Sequence, residues 1–93
     1  MKITKLFQAL GNDVRWRVMN LLLEEKRRDT SGLGLCVCNI VKKCRVANST
    51  MSHHLDCLRS AGFLTAKKRG KWIYYDVNMK TLVSLKETLS ALG

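Results

Sequence analysis

Apolar residues recur along this chain at two different periods, and the change of period orders its elements. Ile3, Leu6, Phe7 and Leu10 follow helical spacing, and Gly11 ends that first segment. Asn12 or Asp13 supplies a cap for a second helix, with Val14, Val18, Leu21 and Leu22 on its buried face. Lys26 to Gly34 is polar, basic and closes on Ser31-Gly32-Leu33-Gly34, which reads as a loop. A short helix is expected over Leu35 to Lys43, then a tight turn through Arg45-Val46-Ala47. Asn48 or Ser49 caps the next helix, which runs to Ser60 before Gly62 marks its end. Leu64 to Lys68 and Lys71 to Val77 follow, joined through Arg69-Gly70. Trp72, Ile73, Tyr74, Tyr75 and Val77 favour strand, and a glycine in so short a connection suits a hairpin. From Asn78 to Gly93, Leu82, Leu85, Leu89 and Leu92 form the stripe of a helix that packs against another helix.

The order is four helices, a hairpin and a final helix. Two short helices across a tight turn, followed by a basic hairpin, describe a winged helix-turn-helix. The fold class expected is therefore mainly α with a β-hairpin wing. One domain spans 1–93, with helix-turn-helix over 35–60 and wing over 64–77. The segments 1–10 and 78–93 expose two apolar stripes in a chain too small to bury both, so they are expected to join two subunits.

Charge changes the picture next. The 93 residues carry a formal net charge of +10, which favours a polyanionic partner through counterion release. No apolar run approaches the roughly 20 residues that span a membrane. The opening Met1-Lys2-Ile3-Thr4-Lys5 lacks the apolar core of a secretory signal, so a cytoplasmic protein is expected. Met51, Leu55 and Leu58 share one face of the helix after the turn. Ser49, Ser52, His53 and Asp56 point the other way, where hydroxyl, imidazole and carboxylate groups can bond base edges or phosphates. Asn48 and Thr50 complete the first turn of this candidate DNA-binding set. Asp56 repels phosphate, so a cytosine amine or a neighbouring side chain suits it better. His54 lies towards the buried face, where a structural hydrogen bond is expected. Lys68, Arg69 and Lys71, with Lys67, surround Gly70 at the hairpin tip. Beside a helix-turn-helix, they read as a wing on phosphates or minor groove rather than a merely solvated turn.

The four cysteines, Cys36, Cys38, Cys44 and Cys57, are read as metal-binding or redox groups rather than disulfides. Residues two apart on a regular helix diverge by about 200°. Cys36 and Cys38 therefore chelate one ion only if Cys36 precedes the helix or binding unwinds its first turn. The N-terminal end of a helix is expected to lower both thiol pKa values. Cys44 reads as a buried core cysteine or a third ligand, and Cys57 lies on the flank of the reading helix.

The stretches Leu35-Cys36-Val37-Cys38-Asn39-Ile40, Ser49-Thr50-Met51-Ser52-His53-His54-Leu55 and Leu58-Arg59-Ser60-Ala61-Gly62-Phe63-Leu64 resemble the ArsR/SmtB family of metal-responsive repressors. Leu10-Gly11-Asn12-Asp13-Val14-Arg15-Trp16-Arg17-Val18 is similar to that family's early helix, and Lys68-Arg69-Gly70-Lys71 with Tyr74-Tyr75 to its wing. The resemblance covers nearly the whole chain. It implies a homodimer of winged-helix subunits on double-stranded operator DNA, with repression relieved by a ligand. Leu-Cys-Val-Cys is closest to the arsenic- and antimony-responsive members. It implies As(III), Sb(III) or another thiophilic ion as inducer at Cys36, Cys38 and, less directly, Cys44, with no cofactor required. The chain departs from some relatives: Val41 stands where they place a third cysteine. The last helix has no histidine and only Glu87 as a carboxylate, so their zinc site is missing. Arg45 replaces a common turn glycine, at up to about 1 kcal/mol if it takes positive φ, and Ser49 replaces a common proline.

Three other classes are kept in view. A regulator of the same fold could respond to thiol oxidation or another soft metal. A basic RNA-binding protein would need aromatic platforms, for which Trp72, Tyr74 and Tyr75 offer little. Ser52, His53 and Asp56 include triad residue types, but they point outward without oxyanion donors, so no enzyme is expected.

Overall fold

The computed structural model describes residues 3–29 and 31–92, and so the expectations at Met1, Lys2, Thr30 and Gly93 lie outside it. The chain runs α1 (Ile3–Leu10), α2 (Asp13–Arg28), β1 (Leu35–Cys36), α3 (Val37–Cys44), α4 (Asn48–Ser60), β2 (Leu64–Arg69), β3 (Trp72–Val77) and α5 (Met79–Ser90). The three strands form one antiparallel sheet in the order β1-β3-β2. The architecture is the mainly helical, winged helix-turn-helix expected from the pattern.

Local chemistry accounts for most boundaries. Asn12 Oδ1 accepts from the Val14 and Arg15 amides at 2.9 and 3.2 Å, capping α2. Gly62, at φ 94°, lets the chain leave α4 through the left-handed region. Asn78 Oδ1 caps α5 through the Lys80 amide at 3.2 Å. Arg45 takes φ 56° and ψ 44° at the end of α3, the conformation glycine adopts at least cost. Arg17 donates to the Cys44 carbonyl at 3.4 Å, which supports that turn.

Three expectations are corrected. Helix α2 runs through Lys26, Arg27 and Arg28, so the loop is shorter than the polar composition suggested. Cations in a last turn complement the helix dipole and carry the helix further. Leu35 and Cys36 are strand, not the start of a helix, because they pair with Tyr75 and Tyr74 of β3. Ala47, rather than Asn48 or Ser49, is the N-cap of α4, and it offers no side-chain hydrogen bond.

Val18, Leu22, Ile40, Met51, Leu55, Leu58 and Phe63 are fully enclosed. They come from α2, α3, α4 and the α4–β2 junction, so the core sits directly beneath the helix-turn-helix. Thr81 Oγ1 donates to the Gly62 carbonyl at 2.6 Å, fastening α5 to that junction.

Candidate DNA interface and cysteine pair

Helix α4 is pinned from one side. Met51, Leu55 and Leu58 are 0% exposed, and Asn48, Ser49, Thr50, Ser52, His53 and Asp56 are all exposed on the free surface. The core thus sets the rotation of the helix and leaves its polar residues outward. His54 is on the buried side, where its Nδ1 accepts from Arg15 Nε at 3.0 Å. Its pKa is lowered by burial, then by the charges of Arg15 and His53. The Asp56 carboxylate faces Arg59 one helical turn on, at 3.8 Å between two largely exposed groups. The first turn of α4 carries no capping side chain, so its amides remain open.

The wing presents the second charged surface. From Thr65 to Arg69 every residue of β2 is exposed. Gly70, at φ 61°, and Lys71 form the turn, with Arg69 opposite Trp72 and Lys68 opposite Ile73. Lys71 Nζ lies 5.2 Å from the Trp72 ring centroid, a cation–π contact that holds the tip residues together. Lys68, Arg69 and Lys71 are thereby gathered at one end of the hairpin. Tyr75 is buried, which removes it from any aromatic platform.

The cysteine pair sits where the sheet meets α3. Cys36 precedes the helix with extended backbone, φ −62° and ψ 143°, and Cys38 lies in its first turn. The Sγ atoms are 2.7 Å apart, with Cys36 buried and Cys38 exposed. The 200° divergence of a regular helix does not apply, because the first thiol is outside the helix. No unwinding is needed to bring the sulfurs together. The Cys38 pKa is raised, first by its hydrogen bond to Cys36, then by burial and the Cys36 charge. The expected lowering by the helix start is overturned at Cys38, since the neighbouring sulfur outweighs it. Cys44 is buried in the core, and burial pushes its thiol up despite Arg17 nearby. Among the described residues no three His, Cys, Asp or Glu side chains cluster as a metal site, so Cys44 is not brought to the pair. Cys57 lies half-buried, 3.7 Å from His53 Nε2.

Residues 12–66 match the bacterial regulatory protein, arsR family. The chain belongs to the ArsR family. An uncharacterized helix-turn-helix-type transcriptional regulator of Methanocaldococcus jannaschii is 32% identical over 91 residues, covering 95% of this chain and 94% of that one. The arsenical resistance operon repressor of Bacillus subtilis is 31% identical over 77 residues, covering 83% and 67%. Among solved structures, the homodimeric winged helix-turn-helix DNA-binding domain of Mycobacterium bovis superposes with a TM-score of 0.71 at 21% identity, covering 97% of this chain and 77% of that one. As an ArsR-family member the chain is a DNA-binding transcriptional regulator and not an enzyme. No helix among the described residues is long and apolar enough to cross a membrane.

Sequence reasoning missed the base of the ArsR-type wing. Gly34, at φ 76°, passes so close to β3 that a Cβ there would lie 2.0 Å from the Tyr75 carbonyl oxygen. Lys26 reaches Asp76 at 3.0 Å across the same junction. A glycine immediately before the apolar Leu35-Cys36 step was the one available signal.

Proposed function

We propose that the chain is a homodimeric repressor that leaves its operator when trivalent arsenic or antimony, or another thiophilic ion, joins Cys36 to Cys38. The observation that carries this reading is the 2.7 Å approach of two sulfurs, one of them exposed, at the start of α3, the first helix of the helix-turn-helix. Thiolates are the ligands that soft ions select. The donor set fits such an ion with two protein ligands. Arsenite, As(OH)₃, condenses with the two thiols. Two S–As bonds form, two As–O bonds break, and the thiol protons leave with the hydroxides as two waters. One oxygen stays on arsenic, so the step needs no third protein sulfur and no prior thiolate. The name of the Bacillus subtilis relative supports the same inducer class.

Operator contact is assigned to Asn48, Ser49, Thr50, Ser52, His53 and Asp56 on α4, and to Lys68, Arg69 and Lys71 on the wing. The first reads base edges and the second binds phosphates. Residues 35–60 then form the reading unit and 64–77 the wing. Dimerisation is assigned to 1–10 and 78–93. Phe7, Trp16, Val83, Leu89 and Leu92 are exposed. Phe7, Trp16 and Leu89 also line one groove, together with Leu10, Leu82 and Leu85. The Mycobacterium bovis domain, itself homodimeric, supports a dimer as the working form. The cytoplasm, which keeps thiols reduced and holds the operator, is the compartment this function needs.

Arsenite titration followed by intact mass tests the assignment. One arsenic per chain is expected, lost in Cys36→Ser and in Cys38→Ser and kept in Cys44→Ser. Uptake unchanged in the Cys36→Ser, Cys38→Ser double variant would place the site elsewhere. A parallel peroxide titration separates ion binding from release by oxidation. Sedimentation at micromolar concentration should give a dimer, and a monomer would remove the two-fold operator from the proposal.

A further inference from the structure

We infer that the thiol pair acts on DNA through the wing, with β1 as the lever; this rests on Cys36 and Cys38 being the inducer site. The two cysteines belong to different parts of the fold. Cys36 is a strand residue, paired with Tyr74 of β3, whereas Cys38 belongs to α3. Their sulfurs face each other across the seam between sheet and helix.

Three contacts hold that seam on the sheet side. Leu35 and Cys36 pair with Tyr75 and Tyr74. Gly34 lies against the Tyr75 backbone with no room for a Cβ. Lys26 of α2 grips Asp76, the next residue of β3, at 3.0 Å. All three clasp the stretch Tyr74–Asp76. Two residues further along the same strand is Trp72, at the start of the tip that carries Lys71, with Arg69 opposite. From Thr65 to Ile73 the hairpin is exposed, and outside the clasp only Leu64 and Val77 anchor its two ends in the core, so the aim of the tip follows this clasp at its base.

Joining both sulfurs to one ion strains the clasp. Cys36 is only 4% exposed. An ion arriving from the exposed Cys38 side must therefore draw the Cys36 side chain outward. Because β1 is two residues long, that pull acts on its pairing with Tyr74. The recognition helix is locked on the core through Met51, Leu55 and Leu58, whereas Cys36 is paired with the wing strand itself. Release then comes from wings that no longer meet the backbone, while α4 keeps its shape.

Residue-resolved amide exchange with and without arsenite tests this, with arsenic uptake checked by mass on the same sample. The lever predicts that amides of 74–76 exchange at least about tenfold faster with arsenite, while those of 51–58 are unchanged. Faster exchange at 51–58 with 74–76 unchanged overturns the lever and leaves the inducer site standing. No arsenic on Cys36 and Cys38 overturns both. Gly34→Ala supplies an ion-free version, because its methyl forces β1 from β3. It should weaken operator binding about tenfold or more without arsenite, with a native circular dichroism spectrum. Should it fail to fold, Lys26→Met loosens the same clasp more gently and is expected to weaken binding in the same direction. Native affinity in whichever of the two folds, with 74–76 exchanging faster, contradicts the inference.

Discussion

The recognition helix and the wing are held in opposite ways. In α4, Met51, His54, Leu55 and Leu58 are buried along one side, so the core dictates which residues face outward. In β2 only Leu64 is buried, and the hairpin is fixed at its base alone. A reading surface must be positioned to within a fraction of an ångström to discriminate bases, whereas phosphate contacts tolerate movement. The difference suggests a division of labour: specificity on the element the core locks, and affinity together with regulation on the element that hinges.

The contrast breaks first in stability. Leu55→Ala empties a fully buried site and should cost about 2–5 kcal/mol, a large part of the roughly 5–15 kcal/mol that holds a domain together. Ile73→Ala, on the exposed hairpin, should stay within about 0.5 kcal/mol. Urea denaturation of both variants measures the gap, and equal losses would show that the wing is packed as tightly as α4.

On DNA the contrast takes another form. Arg69→Ala should weaken binding to all sequences alike and make the salt dependence shallower by about one unit of slope. His53→Ala should instead change the preferred base, a discrimination of about 1–3 kcal/mol. If His53→Ala weakens every sequence equally, the outward face of α4 does not read bases.

The helical elements and hairpin were legible in the sequence because their signals are local. Asn12, Gly62 and Asn78 mark ends by capping or left-handed chemistry, and Met51, Leu55 and Leu58 repeat at helical spacing. β1 was not legible, since a two-residue strand has no period and pairs with residues some forty positions away. Its apolar Leu35-Cys36 step merges with the helical pattern that follows. The same non-local pairing resolves the cysteine geometry: spacing showed that Cys36 had to leave the helix or unwind it, and only the sheet shows which. The raised Cys38 pKa was hidden for a related reason, because it depends on where the second sulfur lies.

Smaller effects sharpen the account around α4. Arg45→Gly relieves a left-handed residue in the turn before it and should stabilise the chain by about 1 kcal/mol. A loss of stability would mean that the Arg45 side chain contributes more than its backbone costs. His54 titrates below its ordinary value when folded, so the unfolded chain takes up its proton first as pH falls. Its contribution to stability is complete above the unfolded pKa near 6.5 and is lost as pH falls through the lower folded value. Melting temperature should therefore drop on acidification from pH 7, and His54→Gln should flatten that drop. An unchanged profile in the variant would assign the acid sensitivity to another group.

The central claim, that joining Cys36 to Cys38 frees the protein from DNA, is tested most directly by fluorescence anisotropy on an operator fragment from upstream of its own gene. Arsenite should return the native protein from bound to free anisotropy. The Cys36→Ser, Cys38→Ser double variant should bind the same fragment with native affinity and stay bound at every arsenite concentration. A double variant that dissociates as fully as the native protein would contradict the account.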